Sequence, residues 1–177
     1  MHITMTRDDL KGHYSERFVS GICSKVAEEG DFAGFVRQFM YDEDQQIVRN
    51  AFAALTKATN EQLLNLMPLM PQMVELAMNT TCPSIRRPLL GIIERLPMPK
   101  ETVRTDFLDF CLDRMYSFQE APSVQALCIK IVYKICANYP ELMDELIRTL
   151  QAMEMDYYKP AVRSVRKRIL SNKIKRL

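Results

Sequence analysis

The stretch "PSIRRPLLGIIERL", residues 83–96, recurs in altered form along this chain of 177 residues. It returns as "PSVQALCIKIVYKI" at 122–135 and as "PAVRSVRKRIL" at 160–170, and a weaker copy, "QIVRNAFAAL", occupies 46–55. Each copy carries an apolar β-branched residue two places after its first residue: Val48, Ile85, Val124 and Val162. These residues are 37, 39 and 38 positions apart. A spacing this even indicates an internal structural repeat.

Apolar residues within each copy follow the period of an α-helix. They recur three and seven places after the β-branched residue, which puts them on one helical stripe. The copies are therefore predicted to be helices, called B helices here, with the prolines at 83, 122 and 160 in their first turns. Pro88 falls in a second turn and predicts a kink. The stripe predicts a core that includes Val48, Phe52, Leu55, Ile85, Leu89, Ile92, Leu127, Ile131, Ile135, Val165 and Ile169.

A second set of helices, called A helices, is predicted between the B helices. They begin near Asp31, Asn60, Lys100 and Pro140. The one that begins at Asn60 contains two prolines, at 68 and 71, and should break into a short and a longer piece. The segment 6–29 also has apolar residues at four-residue steps, namely Tyr14, Phe18, Ile22 and Val26. We expect it to form an N-terminal helical cap.

Helix pairs that repeat about every 38 residues resemble HEAT-type, or armadillo-type, repeats. The resemblance rests on the period, on the apolar stripe, and on the arginine that follows the β-branched residue in three of the four copies. It implies an all-α fold, a right-handed α-α superhelix of about four helix pairs. We accordingly expect a single solenoid domain over 1–177, with a cap over 1–30 and the four pairs over 31–177.

Charge is divided between the two sets of helices. The B segments 45–58, 83–96, 121–138 and 158–177 together carry a net charge of +14, and the A segments between them carry −11. The resemblance implies that the B helices line a concave face, which would then be basic and attract acidic groups. The candidate binding residues on this face are Arg49, Lys57, Arg86, Arg87, Arg95, Lys130, Lys134, Arg163, Arg166 and Lys167.

The same charges also have interpretations that involve no binding partner. In repeats of this kind the arginine after the β-branched residue often contacts the stack itself, which would give Arg49, Arg86 and Arg163 structural roles. The last seven residues, "SNKIKRL" at 171–177, are either a solubilising end or a contact for an anion.

Residues for catalysis or metal binding are scarce. The two histidines, His2 and His13, lie near the N-terminus, and no metal-ligand spacing or glycine-rich phosphate loop is present. We expect no cofactor, no metal and no enzymatic activity. The five cysteines are predicted to be buried free thiols. With no apolar segment of signal-peptide or membrane-span length, the chain is expected to be cytoplasmic and not to bind membranes.

Two functions from different classes follow. The first is a scaffold that binds a protein partner, most simply an acidic one, on the basic face. The alternative is a nucleic-acid-binding protein with a distant architectural resemblance to HEAT-like DNA alkylation-repair glycosylases. Those enzymes use groove aromatics including tryptophan, and this chain has no tryptophan, so the resemblance implies DNA binding more readily than catalysis.

Overall fold

A computed structural model describes residues 4–174 of the backbone and side chains as far as Ser171. Within that range the secondary structure consists of helices and 3₁₀ turns, so the all-α prediction is confirmed. The α-helices are α1 (Arg7–Leu10), α2 (Glu16–Glu29), α3 (Phe32–Phe39), α4 (Gln45–Leu55), α5 (Asn60–Leu63), α6 (Met70–Asn79), α7 (Pro83–Arg95), α8 (Thr105–Tyr116), α9 (Pro122–Cys136), α10 (Pro140–Ala152) and α11 (Pro160–Ile174).

Local sequence signals set the helix boundaries. The carboxylate of Asp31 accepts a hydrogen bond from the amide of Gly34 at 2.7 Å and caps α3, and Asp44 caps α4 in the same way. Gly30 ends α2 with a φ of 72°, a left-handed conformation that glycine adopts without strain. Helices α7, α9 and α10 begin with proline, whose missing N–H costs nothing in a first turn.

The helix predicted from Asn60 breaks as expected. It consists of α5, a 3₁₀ turn over Leu64–Leu69 that contains Pro68, and α6 with Pro71 in its first turn. Helix α7 continues through Pro88 from Pro83 to Arg95.

The N-terminal segment is not the continuous helix that its four-residue spacing predicted. It forms α1 and α2, separated by residues 11–15. A side chain at Gly12 would approach the ring of Phe18 to 2.3 Å, and the hydroxyl of Ser15 starts α2 by accepting from the amide of Phe18. Tyr14 consequently lies outside the helix and is exposed, whereas Ile22 and Val26 are buried.

The described residues form two compact units, one that ends at Leu96 and one that begins at Pro97. In the first unit α4 packs against α1, α2, α3 and α7, and α6 packs against α7. In the second unit α9 packs against α8, α10 and α11. Each unit therefore contains two of the predicted A–B pairs. The single-domain organisation with its cap, and the hand of the superhelix, stay predictions.

Ten of the eleven predicted core residues are buried, and Leu127 is the exception. Leu127 is half-buried because it shares a face of α9 with Lys130 and Lys134, three and seven residues further on. The neighbouring residues Ala126 and Cys128 occupy the buried positions instead.

Polar side chains in the core have one shared role. The buried polar or charged residues among those described are Asn50, Arg86 and Gln125, which lie one or two places after the β-branched residue of their B helices. Each donates to backbone carbonyls at the end of another helix: Asn50 at the end of α1, Arg86 at the end of α6 and Gln125 at the end of α8. These groups would otherwise be unpaired, since the last carbonyls of a helix have no partner within it. B-helix side chains thus terminate neighbouring helices.

The burial pattern on α9 leads to a stability prediction. Ile131 is fully buried, so Ile131→Ala should lower the free energy of unfolding by about 2–5 kcal/mol, because it leaves a cavity. Leu127→Ala deletes a similar volume from a half-buried position and should cost distinctly less. Urea denaturation of both variants measures the difference, and equal losses would show that the two positions are packed alike.

Candidate binding surfaces

Four of the five candidate residues in the first unit interact with the protein itself: Arg49, Arg86 and Arg95 through hydrogen bonds, and Lys57 through an ion pair. The Arg86 guanidinium is buried and donates from Nε to the carbonyl of Ala77 at 3.2 Å and from Nη2 to that of Thr80. Arg95 donates to the Thr56 carbonyl at 3.1 Å and to the Ala58 carbonyl at 2.6 Å. These carbonyls lie in the last turn of α6 or directly after the ends of α6 and α4, where the helix dipole favours a positive charge.

Arg49 donates from Nε and Nη2 to the side-chain oxygen of Asn50, both at 3.2 Å. Asn50 in turn donates to the carbonyls of Leu10 and Gly12 at 2.7 and 3.0 Å. Arg49 therefore orients the side-chain amide of Asn50, which donates to the carbonyls at the end of α1. Because Val48 through Leu55 are buried apart from Arg49, helix α4 presents little surface to a partner.

Lys57 and Arg87 are the exposed cations of this set in the first unit. Lys57 forms an ion pair with Glu16, and that hydrogen bond raises the pKa of Lys57 and lowers the pKa of Glu16. Arg87 has no hydrogen bond or ion pair with any other described residue.

The second unit places its candidate residues on two neighbouring helices, α9 and α11. Lys130 and Lys134 are half-buried on one face of α9, since they are four residues apart. On α11, Arg163 and Lys167 are likewise four residues apart and both exposed. These four residues are called the basic stripes below.

Two arginines of α11 also hold backbone carbonyls. Arg163 donates from Nε to the carbonyl of Tyr158 at 2.7 Å. Arg166 donates from Nε to the carbonyl of Leu150 and from Nη2 to that of Gln151 at 3.3 Å, at the end of α10. The structural interpretation of Arg86 and Arg163 thus describes their observed contacts, although Arg163 is exposed. The basic residues Lys173, Lys175 and Arg176 lie outside the side chains that the structure describes.

An aromatic groove in the second unit was not anticipated from the sequence. Its volume is about 620 Å³, and its lining includes Tyr116, Phe118, Tyr157, Tyr158, Met153 and Glu154. The rings of Phe118 and Tyr158 lie 5.2 Å apart, centre to centre. The lining residues come from the ends of α8 and α10 and the links that follow them. A sequence signal did exist, namely aromatic residues in two successive A-to-B links, "YSFQE" at 116–120 and "MDYYKP" at 155–160.

The profile of a HEAT repeat domain family matches residues 6–173. Paired helices of the kind seen in both units are the architecture of helical-repeat proteins. The chain belongs to the HEAT repeat family, as its repeated phrases predicted. No curated protein and no solved structure gives a significant match.

Metal sites and membrane-spanning helices are absent from the described residues. The described side chains contain no group of three or more histidine, cysteine or acidic residues that could hold a metal ion. No helix in the described part of the chain combines the length and apolarity needed to cross a membrane.

The five cysteines are free thiols, as predicted, and four are buried. Burial raises the pKa of Cys23, and burial with the nearby Glu145 raises that of Cys136 to about 11. A hydrogen bond with Cys128, together with burial, raises the pKa of Cys111 well above its usual range. Cys82 differs from the predicted pattern, because it is half-buried at the start of α7 with its sulfur 3.1 Å from the Ser84 hydroxyl. That hydrogen bond lowers its pKa.

These environments predict one reactive thiol. Cys82 is half-buried and a hydrogen bond lowers its pKa, whereas the other four cysteines are buried, so Cys82 should react first with a chromogenic disulfide reagent. Cys82→Ser should remove the fast phase, whereas Cys136→Ser should leave it intact and lower only the total after unfolding. A fast phase that persists in Cys82→Ser would contradict this assignment.

Proposed function

We propose that this protein is a non-catalytic binding module that uses the basic stripes of its second unit to bind an acidic surface of a protein partner. HEAT repeat domains typically mediate protein interactions and are typically non-catalytic, which supports the general class. The observation that carries the finer proposal is the presence of Lys130, Lys134, Arg163 and Lys167 on two helices that pack together.

The spacing of these four cations along their helices arranges them as two pairs. Residues four apart on a helix are neighbours, so each helix presents a pair of like charges. Paired positive charges of this kind complement an acidic surface. Lys130 is half-buried and has no hydrogen bond or ion pair with another described residue. Its methylene groups lie beside the half-buried Leu127, which gives a partner an apolar contact next to the charge.

The first unit contributes less to this proposal. Its arginines at 49, 86 and 95 donate to groups of the protein itself, and displacing them would leave those groups unpaired. Among the candidate binding residues of that unit, Arg87 is the exposed cation whose side chain has no hydrogen bond or ion pair with another described residue. We therefore assign the binding role to the second unit. The free thiols support a reducing compartment such as the cytoplasm as the place of action.

The test measures binding to immobilised polyglutamate, which represents an acidic protein surface, and to duplex DNA. Wild-type protein should bind polyglutamate, and the affinity should fall by roughly tenfold or more between 50 and 200 mM salt, because exposed charges are screened. Lys130→Glu with Lys134→Glu should abolish binding. Because both lysines are half-buried, the thermal midpoint of this variant is measured alongside, and a midpoint within a few degrees of wild type shows that the surface and not the fold is lost.

The matched control reverses two exposed cations on other elements of the same unit. Lys100→Glu with Arg148→Glu changes the net charge equally but leaves α9 and α11 untouched. It should weaken polyglutamate binding only modestly. Equal loss in both double variants would reduce the effect to net charge, and binding to DNA without polyglutamate would favour the nucleic-acid alternative. Absence of binding to either polymer would refute the proposal.

A further inference from the structure

The aromatic groove of the second unit concentrates exposed apolar surface. Six large hydrophobic side chains are exposed among the described residues, and three of them line this groove: Tyr116, Phe118 and Tyr157. Phe118 and Tyr157 are each 68% exposed. Single exposed hydrophobic residues are ordinary, but a cluster of aromatic rings around a concave surface is typical of a binding site.

The groove is held in place by the contacts that terminate α8. The Gln125 side chain donates to the carbonyl of Ser117 at 2.9 Å, immediately before Phe118. On the other side of Phe118, Arg114 forms an ion pair at 3.0 Å with Glu120, whose side chain is only 8% exposed. Both flanks of Phe118 are therefore anchored. An exposed ring on an anchored link is preorganised, which lowers the entropic cost of binding.

The opposite wall is anchored as well. Arg163 donates to the backbone carbonyl of Tyr158, and the ring of Tyr158 is buried against Phe118. Burial and the neighbouring Tyr116 raise the pKa of Tyr158. Its hydroxyl accordingly stays neutral at physiological pH and adds no negative charge of its own.

The charge of the lining defines what the groove can bind. Glu154 is exposed and is the ionisable carboxylate of the lining, which contains no basic residue. Lys159 and Arg163 lie close in sequence, but neither is part of the lining. Aromatic faces carry negative partial charge and attract cations. Four aromatic rings with one carboxylate therefore complement a positively charged group.

We propose that this groove binds an arginine side chain presented by a partner protein. A guanidinium is planar, stacks on aromatic rings, is less strongly hydrated than an ammonium, and pairs with a carboxylate through two parallel hydrogen bonds. Rings and carboxylate are both available here, the rings for stacking and Glu154 for pairing. The lining contains none of the basic-stripe residues and prefers the opposite charge, although Arg163 of the stripes anchors the wall that carries Tyr158.

The test is an NMR titration of the full chain, with labelled tyrosine and phenylalanine rings, against a blocked glycine pentapeptide with a central arginine. We expect saturable shifts at Tyr116, Phe118, Tyr157 and Tyr158 with millimolar affinity. The matched peptide carries citrulline, which keeps the shape of arginine and removes its charge. The citrulline peptide should bind at least about fivefold more weakly than the arginine peptide. A lysine peptide should bind about twofold more weakly than the arginine peptide.

Matched variants locate the site. Glu154→Gln and Tyr157→Leu should each weaken the arginine peptide by about two- to fivefold, and together by about tenfold. The controls are Glu141→Gln, which removes an exposed carboxylate from the start of α10, and Tyr41→Leu, which removes an exposed ring from the first unit. Both should leave the affinity unchanged, as should Lys130→Glu with Lys134→Glu.

Three outcomes would overturn the proposal. They are equal binding of the arginine and citrulline peptides, shifts confined to other parts of the chain, and no shift at about 10 mM arginine peptide. Because Glu154 and Tyr157 are exposed, the variants should fold, and an unchanged thermal midpoint verifies this.

Discussion

The fold depends on polar side chains that reach from B helices to the carbonyls at the ends of neighbouring helices. Burying a helix end leaves carbonyls that water no longer reaches, and each unpaired group costs about 1–3 kcal/mol. Asn50, Arg86 and Gln125 supply the missing donors at equivalent places in three repeats. In the fourth repeat Arg163 and Arg166 do so from the surface of α11. The side chains that donate to helix ends therefore recur with the same period as the sequence repeat.

This constraint changes how the basic charge of the B helices is understood. A cation that donates to a helix end is engaged with the protein, so the raw charge of a segment overstates what a partner encounters. In the first unit the arginines at 49, 86 and 95 are used in this way. In the second unit Gln125 takes the place of the arginine, and Lys130 and Lys134 are half-buried four residues apart on α9. The same anchoring of links positions the aromatic groove.

Sequence predicted most of the architecture, because helical period, proline and capping residues act locally. The repeat, the break near Pro68 and the buried stripe followed from these rules, and the HEAT resemblance was correct. Leu127 was assigned to the core wrongly because offsets within one helix do not show how many neighbours cover it. The aromatic groove was missed because it joins two links that are about forty residues apart, and only the packing of α8, α9 and α10 brings them together.

The most direct measurement of the central claim compares two adjacent arginines by chemical denaturation. Arg86 is buried and donates to the ends of α6, whereas Arg87 is exposed. Arg86→Met keeps the length of the side chain and removes the donors, so the free energy of unfolding should fall by about 1–3 kcal/mol. Arg87→Met should change it by less than about 0.5 kcal/mol. Equal effects, or a stabilised Arg86→Met protein, would contradict the view that these side chains hold the repeats together.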